Sequence, residues 1–550
     1  MSLFTWANLV IRRRRGCQAI PRQSFRPQLT VLEDRCLLST IPVTSSTDSM
    51  QPGTLRYAVA NAQSGDTILV TPAVKAPIVL TQGELTLTQN VTITAVGRSP
   101  ATISGDGLSR IFEVASGAQV TLENLDITDG NGVATPNGSN LFDGYGGGIL
   151  VDAGGALTVS DSNISGNSAT PWDGGGILSS GTLAVNNSTV SGNSAGLFGG
   201  GICIFSGTLT ASASTLSGNT ASDGGGGIAN FFGNFTVRDS TLSNNSSSVY
   251  GGGIVNFSSA TSGIATVSGS TLSGNSAQYG GGILNYGTLS LDNSTLSGNS
   301  AVGGNGGGLA SYGPVTVSGC TFSGDSAVFG GGVYIYSGTA TINGSTLSSN
   351  FANIGGGILV DRAGALTVSD CTLTDDSTAD GGAGGGIASY GSLSVDTSTF
   401  SGDSAVFGGG VYIYSGTALV QDSTLSNNFA NIGGGILVDR TGNLTVSGCT
   451  LSDDSTASGG AGGGIANYGL LTVNASTLSG DSAAYGGGFY NNSAGTATLN
   501  GCTLSGDSAT TSGGGLYNSG LLFLANCTFA ENSPNNVTGS YVDEGGNTFG

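Results

Sequence analysis

The sequence predicts an all-β protein: a parallel β-solenoid with three strands in each coil. Three observations carry this reading. A unit led by Gly-Gly-Gly and an apolar residue begins fifteen times between Ile149 and Leu516, at a mean spacing of 26 residues. Within a unit the apolar residues alternate, as Leu157 and Val159 flank Thr158 and Ile149 and Val151 flank Leu150; period two specifies a strand. The rest of the unit is Gly, Ser, Thr and Asn, with 99 glycines in 550 residues, a composition that works against helix. Three short strands and three turns use about 26 residues, and strands so short are stable only when the units stack. A leucine-rich repeat has a compatible period, but its Leu-x-x-Leu-x-Leu-x-x-Asn pattern is missing.

Taken in order, residues 1–40 stand apart. An apolar stretch, Leu3 to Ile11, precedes Arg12 to Arg15, and Leu32-Glu-Asp-Arg-Cys-Leu-Leu-Ser39 follows. Residues 41–142 hold an N-terminal cap and irregular first coils. The helix is expected within 51–65: Leu55, Ala58, Val59 and Ala62 share one face, Thr54 stands at the N-cap, and Gly65 stops it. This helix covers the first coil, whose open edge would otherwise invite aggregation. Asn131 to Phe142 reads as a loop leaving the rod. Regular repeats fill 143–532, and 533–550 reads as a C-terminal cap or tail. A longer period of 78 residues lies on the repeat: Phe-Gly-Gly-Gly-Val-Tyr-Ile-Tyr-Ser-Gly-Thr-Ala starts at Phe329 and again at Phe407, so a three-unit block is duplicated.

Three resemblances attach to these segments. Residues 1–40 resemble the basic leader with a Leu-Glu-Asp-Arg-x-Leu-Leu-Ser element found on many exported bacterial proteins. Gly53-Thr-Leu-Arg-Tyr-Ala to Asn61, with Gly65-Asp-Thr-Ile68, resembles the opening of bacterial right-handed parallel β-helix proteins, the pectin-lyase-like solenoids. The repeats over about 143–532 resemble those of polymorphic outer-membrane proteins, which pair Gly-Gly-Ala-Ile with Phe-x-x-Asn. Here the third residue is Gly and Phe is usually Leu, although Phe529-Ala-Glu-Asn532 matches outright. That family implies a surface-exposed adhesin exported through its own C-terminal barrel, whereas repeats here continue nearly to Gly550.

Charge narrows the partners. The chain has 14 Lys plus Arg against 34 Asp plus Glu. Seven of the bases precede residue 40, so the repeat surface is strongly acidic; it repels nucleic acid and anionic lipid. No apolar run approaches the ~20 residues of a membrane helix. The expectation is a monomeric rod without a transmembrane helix or a nucleic-acid partner.

Four candidate sites follow. The Leu-x-x-Asn position runs from Asn167 to Asn532, with Asp454, Asp481 and Asp507 in consecutive coils. It reads either as a solvent-facing turn where Asn and Asp interchange or as a column of carboxylates bridged by Ca2+. Three residues after the Gly-Gly-Gly-Ile position stand Phe205, Phe231, Phe257, Tyr286, Tyr312 and Tyr336. They form an outward column that either binds a polysaccharide by its apolar sugar faces or only stabilises the sheet. Cys502 and Cys527 fall in adjacent coils, within disulfide reach. No catalytic residue is assigned. The chain has no histidine, and Asp361-Arg362 recurs as Asp439-Arg440, which marks repeat structure, although acidic pairs alone suffice for a glycosidase. The functional expectation is a non-enzymatic extracellular or outer-membrane-associated protein that binds polysaccharide or another cell-surface or matrix component. The alternatives are a secreted polysaccharide lyase or glycoside hydrolase and a purely structural rod.

Overall fold

The computed structural model describes residues 39–132, 144–258 and 263–550. Most of the leader and of the Asn131–Phe142 loop lies outside these residues. From Ser39 to Gly550 the chain winds a single solenoid of about 18 turns.

One coil shows how the sequence builds it. Ile177–Ser179, Thr182–Asn186 and Thr189–Ser191 are the three expected strands. Each pairs in parallel with its copy one coil on: Ile177 with Ile202, Leu183 with Leu209, Val190 with Leu216. Ser194–Ala195 adds a fourth strand of two residues, paired with Thr220–Ala221, which the repeat pattern did not disclose. Ile177, Leu183, Val185 and Val190 all point inward and are buried.

The glycine triplet makes the corner. Gly199 has a φ of +69°, open to glycine at little cost. A Cβ on Gly201 would sit 2.6 Å from the carbonyl oxygen of Gly227 in the next coil. The first glycine turns the chain, and the others let successive coils approach at backbone distance.

The expected helix is Leu55–Asn61, shorter than the segment that signals it. Thr54 accepts the amide of Tyr57 as N-cap. Leu55 and Ala58 are buried against the first coils, and Val59 and Ala62 pack partly against them. The first strand, Thr40–Val43, already pairs with Thr67–Val70. At the other end, residues 533–550 add a further coil: Val537, Val542 and Phe549 pair with Leu516, Phe523 and Phe529. Among the described residues, no helix is long and apolar enough to cross a membrane.

In the duplicated coils the first two strands run together, as Val333–Asn343 and Ile358–Ser369 and again as Val411–Gln421 and Ile436–Ser447. Both copies carry the same register irregularity, after Ile335 and after Ile413.

Candidate functional site: an outer groove and its twin pockets

From Ile149–Val151 onward the first strand of the coil carries apolar residues on both faces. Its outer, middle residue is the floor of a second hydrophobic cluster lying outside the solenoid: Leu150, Leu178, Cys203, Ala229, Val255, Leu284 and onward to Ala466. The aromatic column forms one wall of this groove. Its rings stack coil on coil, with centroids 5.5 Å apart for Phe231–Phe257 and Phe257–Tyr286, and 4.8 Å for Tyr286–Tyr312 and Tyr312–Tyr336. Phe205, Tyr286 and Tyr336 are exposed, while Phe231, Phe257 and Tyr312 lean onto the floor. The column is therefore a stabilising ladder and an accessible aromatic surface at once. The opposite wall is the residue before the glycine run, among them Phe198, Tyr250, Tyr279, Ile354, Phe407 and Ile432. Sequence reasoning missed floor and far wall alike. A signal was present: Ile149-Leu150-Val151 is apolar at three consecutive positions, which a one-sided strand does not need.

Within the duplicated block the groove deepens into two pockets. One, of about 230 Å3, is lined by Phe329, Tyr334, Ile354, Leu359, Asp361 and Tyr390. The other, of about 220 Å3, is lined by Phe407, Tyr412, Ile432, Leu437, Asp439 and Tyr468. Each residue of the second is the copy of one in the first. The Tyr334 hydroxyl donates to Asp361 Oδ2 at 2.9 Å, and the amide of Arg362 to Oδ1 at 2.7 Å; Tyr412, Asp439 and Arg440 repeat this at the same distances. Burial and the adjoining carboxylates push both phenols far up. Each Asp thus stays a fixed acceptor beside an apolar floor.

The Leu-x-x-Asn column is not a solvent-facing turn. Asn219, Asn245, Asp454, Asp481 and Asp507 are all fully buried, because the left-handed residue just before each (Gly218, Asn244, Asp453, Gly480, Gly506) turns the side chain inward. Among the Asn coils a continuous ladder forms. Asn219 Nδ2 donates to Asn245 Oδ1 at 2.9 Å and to the Val190 carbonyl at 2.9 Å, and the Asn219 amide donates to Asn245 Oδ1 at 3.0 Å. Where Asp replaces Asn, Oδ1 keeps its place: the Asp454 amide donates to Asp481 Oδ1 at 2.9 Å, and Asp481 to Asp507 at 3.0 Å. Oδ2 of Asp325, Asp376, Asp403, Asp454, Asp481 and Asp507 accepts nothing. Burial raises all six carboxyls, Asp325 and Asp507 to about 7, Asp376 and Asp454 to about 8. They sit in slots that elsewhere hold amides, and burial makes them keep their protons well above the ordinary carboxylate range.

Cys502 and Cys527 are buried as free thiols. Each donates to a carbonyl of the preceding coil, Val473 and Leu499, at 3.4 Å. The same bond, from Ser214 Oγ to the Val185 carbonyl at 3.2 Å, places them as substitutes in the buried serine column.

The irregular first coils hold a third constellation that the sequence did not flag. Arg110 is fully buried, 2.7 Å from Glu84 Oε2, and also donates to the carbonyls of Tyr145 and Gly132. Glu84 shares a hydrogen bond with Glu113, whose Oε2 accepts from Thr86 at 3.1 Å. Burial, opposed by Arg110, pushes Glu84 up to about 7; burial, then the charge of Glu113, raises Asp152. Glu113 and Leu150 are register partners, so these acids stand at the N-terminal end of the groove.

The family model described as "right handed beta helix region" matches residues 78–301 and, overlapping, 231–404, together more than half of the chain. No curated protein matches. Among solved structures, the catalytic unit of a thermostable GH87 alpha-1,3-glucanase from Streptomyces thermodiastaticus strain HF3-3 is similar at 14% identity over 93% of this chain and 70% of that one, with a TM-score of 0.28. At that level the likeness carries no argument.

Proposed function

This chain belongs to the right-handed β-helix family, and from that premise we propose that it is a non-enzymatic, exported protein of the bacterial surface or matrix that holds polysaccharide in its outer groove. The observation that carries this reading is the groove itself. A single face carries stacked aromatic rings through successive coils over a buried apolar floor, with Phe205, Tyr286, Phe329 and Tyr336 exposed along it, a clustering beyond the scattered exposed apolar residues of an ordinary surface. Sugar rings lay their apolar C–H faces on aromatic faces, while hydroxyls seek acceptors such as Asp361 and Asp439. The leader-like residues 1–40 and the repeats' resemblance to polymorphic outer-membrane proteins support export and an adhesive role. The test is co-sedimentation of residues 39–550 with insoluble polysaccharides. Binding that Phe257→Ser with Tyr312→Ser reduces at least tenfold supports the reading; absence of binding to every polysaccharide overturns it.

One observation favours a second reading, a polysaccharide-cleaving enzyme. Glu84, raised to about 7, has the protonation of a general acid at neutral pH, and Glu113 and Asp152 supply carboxylates beside it. Release of soluble oligosaccharides that Glu84→Gln abolishes would establish it.

A further inference from the structure

The duplicated block carries more than two similar pockets. Each of the three columns that shape the groove has a three-coil period there. The floor reads Tyr334, Leu359, Ala388 and then Tyr412, Leu437, Ala466, in continuous register. The far wall reads Phe329, Ile354, Ala383 and then Phe407, Ile432, Ala461, bridged coil to coil. The near wall reads Tyr336, Asp361, Tyr390 and then Tyr414, Asp439, Tyr468. The pockets therefore open on one face, in one orientation, three coils apart, or roughly 14 Å at the spacing of paired strands.

The coil between them carries small side chains. Its floor and far wall are both alanine, Ala388 and Ala383. Its near wall is Tyr390, whose ring lies 4.7 Å from Tyr414 at the threshold of the second pocket. The rings of Tyr390 and Tyr414 thus carry the aromatic wall across the coil that separates the two pockets.

We propose that the twin pockets are two subsites for one neutral, hydroxyl-rich polysaccharide chain lying parallel to the rod axis, engaged in both at once. This rests on the glycan-binding reading above and names its ligand class. The ligand is neutral because each pocket is floored by apolar side chains and its carboxylate is offset by the adjoining arginine, Asp361 by Arg362 and Asp439 by Arg440, which leaves no net positive charge to hold an acidic sugar polymer on a chain with a net charge of −20. It is hydroxyl-rich because each Asp has lone pairs left after accepting the Tyr hydroxyl and the Arg amide. It is a polymer because identical sites at fixed spacing convert the second contact into an intramolecular one, and a linked ligand gains ~10²–10⁴ in affinity over a fragment that reaches only one site.

The experiment needs no substitution to begin. Residues 39–550 are screened for affinity against soluble neutral glucan, mannan, xylan and galactan, and oligosaccharides of graded length are then titrated from whichever binds. Affinity is expected to step up, on the order of a hundredfold, at the length that spans both pockets. Tyr390→Ser in the first pocket, or Tyr468→Ser in the second, is expected to erase the step and leave long and short chains equal, with Asp361→Asn and Asp439→Asn repeating the pattern by a change that preserves shape. Smooth growth of affinity with length, or loss of only about twofold in each single-pocket variant (the statistical expectation for independent sites), overturns the bivalent site while leaving glycan binding intact. No binding to any of the four neutral polymers overturns the neutral bivalent site, while glycan binding itself stands or falls on the co-sedimentation test above.

Discussion

The coils from Asn167 to Asn299 and those from Asp325 to Asp507 share one backbone but differ in the chemistry of one buried column. In the first set an amide ladder is fully satisfied, each Nδ2 donating to the next Oδ1 and to a carbonyl of the coil before. In the second, two coils keep the amide, Asn350 and Asn428, and six carry a carboxyl whose second oxygen has no partner. The slot evidently tolerates either group so long as Oδ1 receives the amide of the preceding coil. The difference is that a buried amide is neutral at every pH, whereas a buried carboxyl is neutral only while it holds a proton. The first half of the rod is indifferent to pH at this position; the second is not.

The sign of that dependence follows from the shifts. The folded carboxyls hold their protons to about 7 or 8, against an ordinary value of 3.8. The folded state therefore binds more protons across that window, so the contribution is complete in acid and is lost as pH rises through it, by up to about 1.4 kcal/mol per pH unit per carboxyl.

The sharpest way to break the contrast is to move a carboxyl into the amide half. Asn219→Asp should cost about 3–5 kcal/mol at about pH 8, by burying a charge against Asn245 Oδ1, and much less at about pH 4; melting at the two pH values reads this. The reverse exchange, Asp481→Asn, should stabilise by about 1–3 kcal/mol at about pH 8 through a regained donor and flatten the pH dependence. In the unaltered protein, hydrogen exchange should show amide protection falling in 325–507 between about pH 5 and pH 8 while 149–299 keeps its own, since stacked units open locally. Equal loss in both halves would refute the assignment. The outer ladder gives a smaller effect: Tyr286→Leu, at a ring stacked 4.8 Å from Tyr312, should cost about 0.5–1.5 kcal/mol at any pH. Smallest of all, Ca2+ or EDTA should leave the melting temperature unchanged; a rise with Ca2+ would mean that Asp454, Asp481 and Asp507 open to a cation after all.

The period, the inward Leu-x-Val pairs and the capping helix were legible because they rest on local rules: alternation, glycine runs and N-cap chemistry. The direction of the Asn column was not. Alternation fails across a left-handed residue, and Gly218 or Asn244 reverses the face that follows. The twin pockets were visible as a 78-residue duplication but not as concavities, since Tyr334, Leu359 and Tyr390 belong to three coils. The Arg110, Glu84 and Glu113 constellation draws on the irregular coils, where no repeat aligns the residues that meet.

The seams of the duplicated block match. Leu309-Ala310-Ser311 lies against Val333-Tyr334-Ile335 where the first copy begins, and Ile387-Ala388-Ser389 against Val411-Tyr412-Ile413 where the second does. A gene that gains or loses one such block thus changes the reach of the rod in a fixed increment without creating a junction the protein has not already solved. Ruler and pocket are inherited as one cassette, so the length of the rod and the number of pockets along it evolve together.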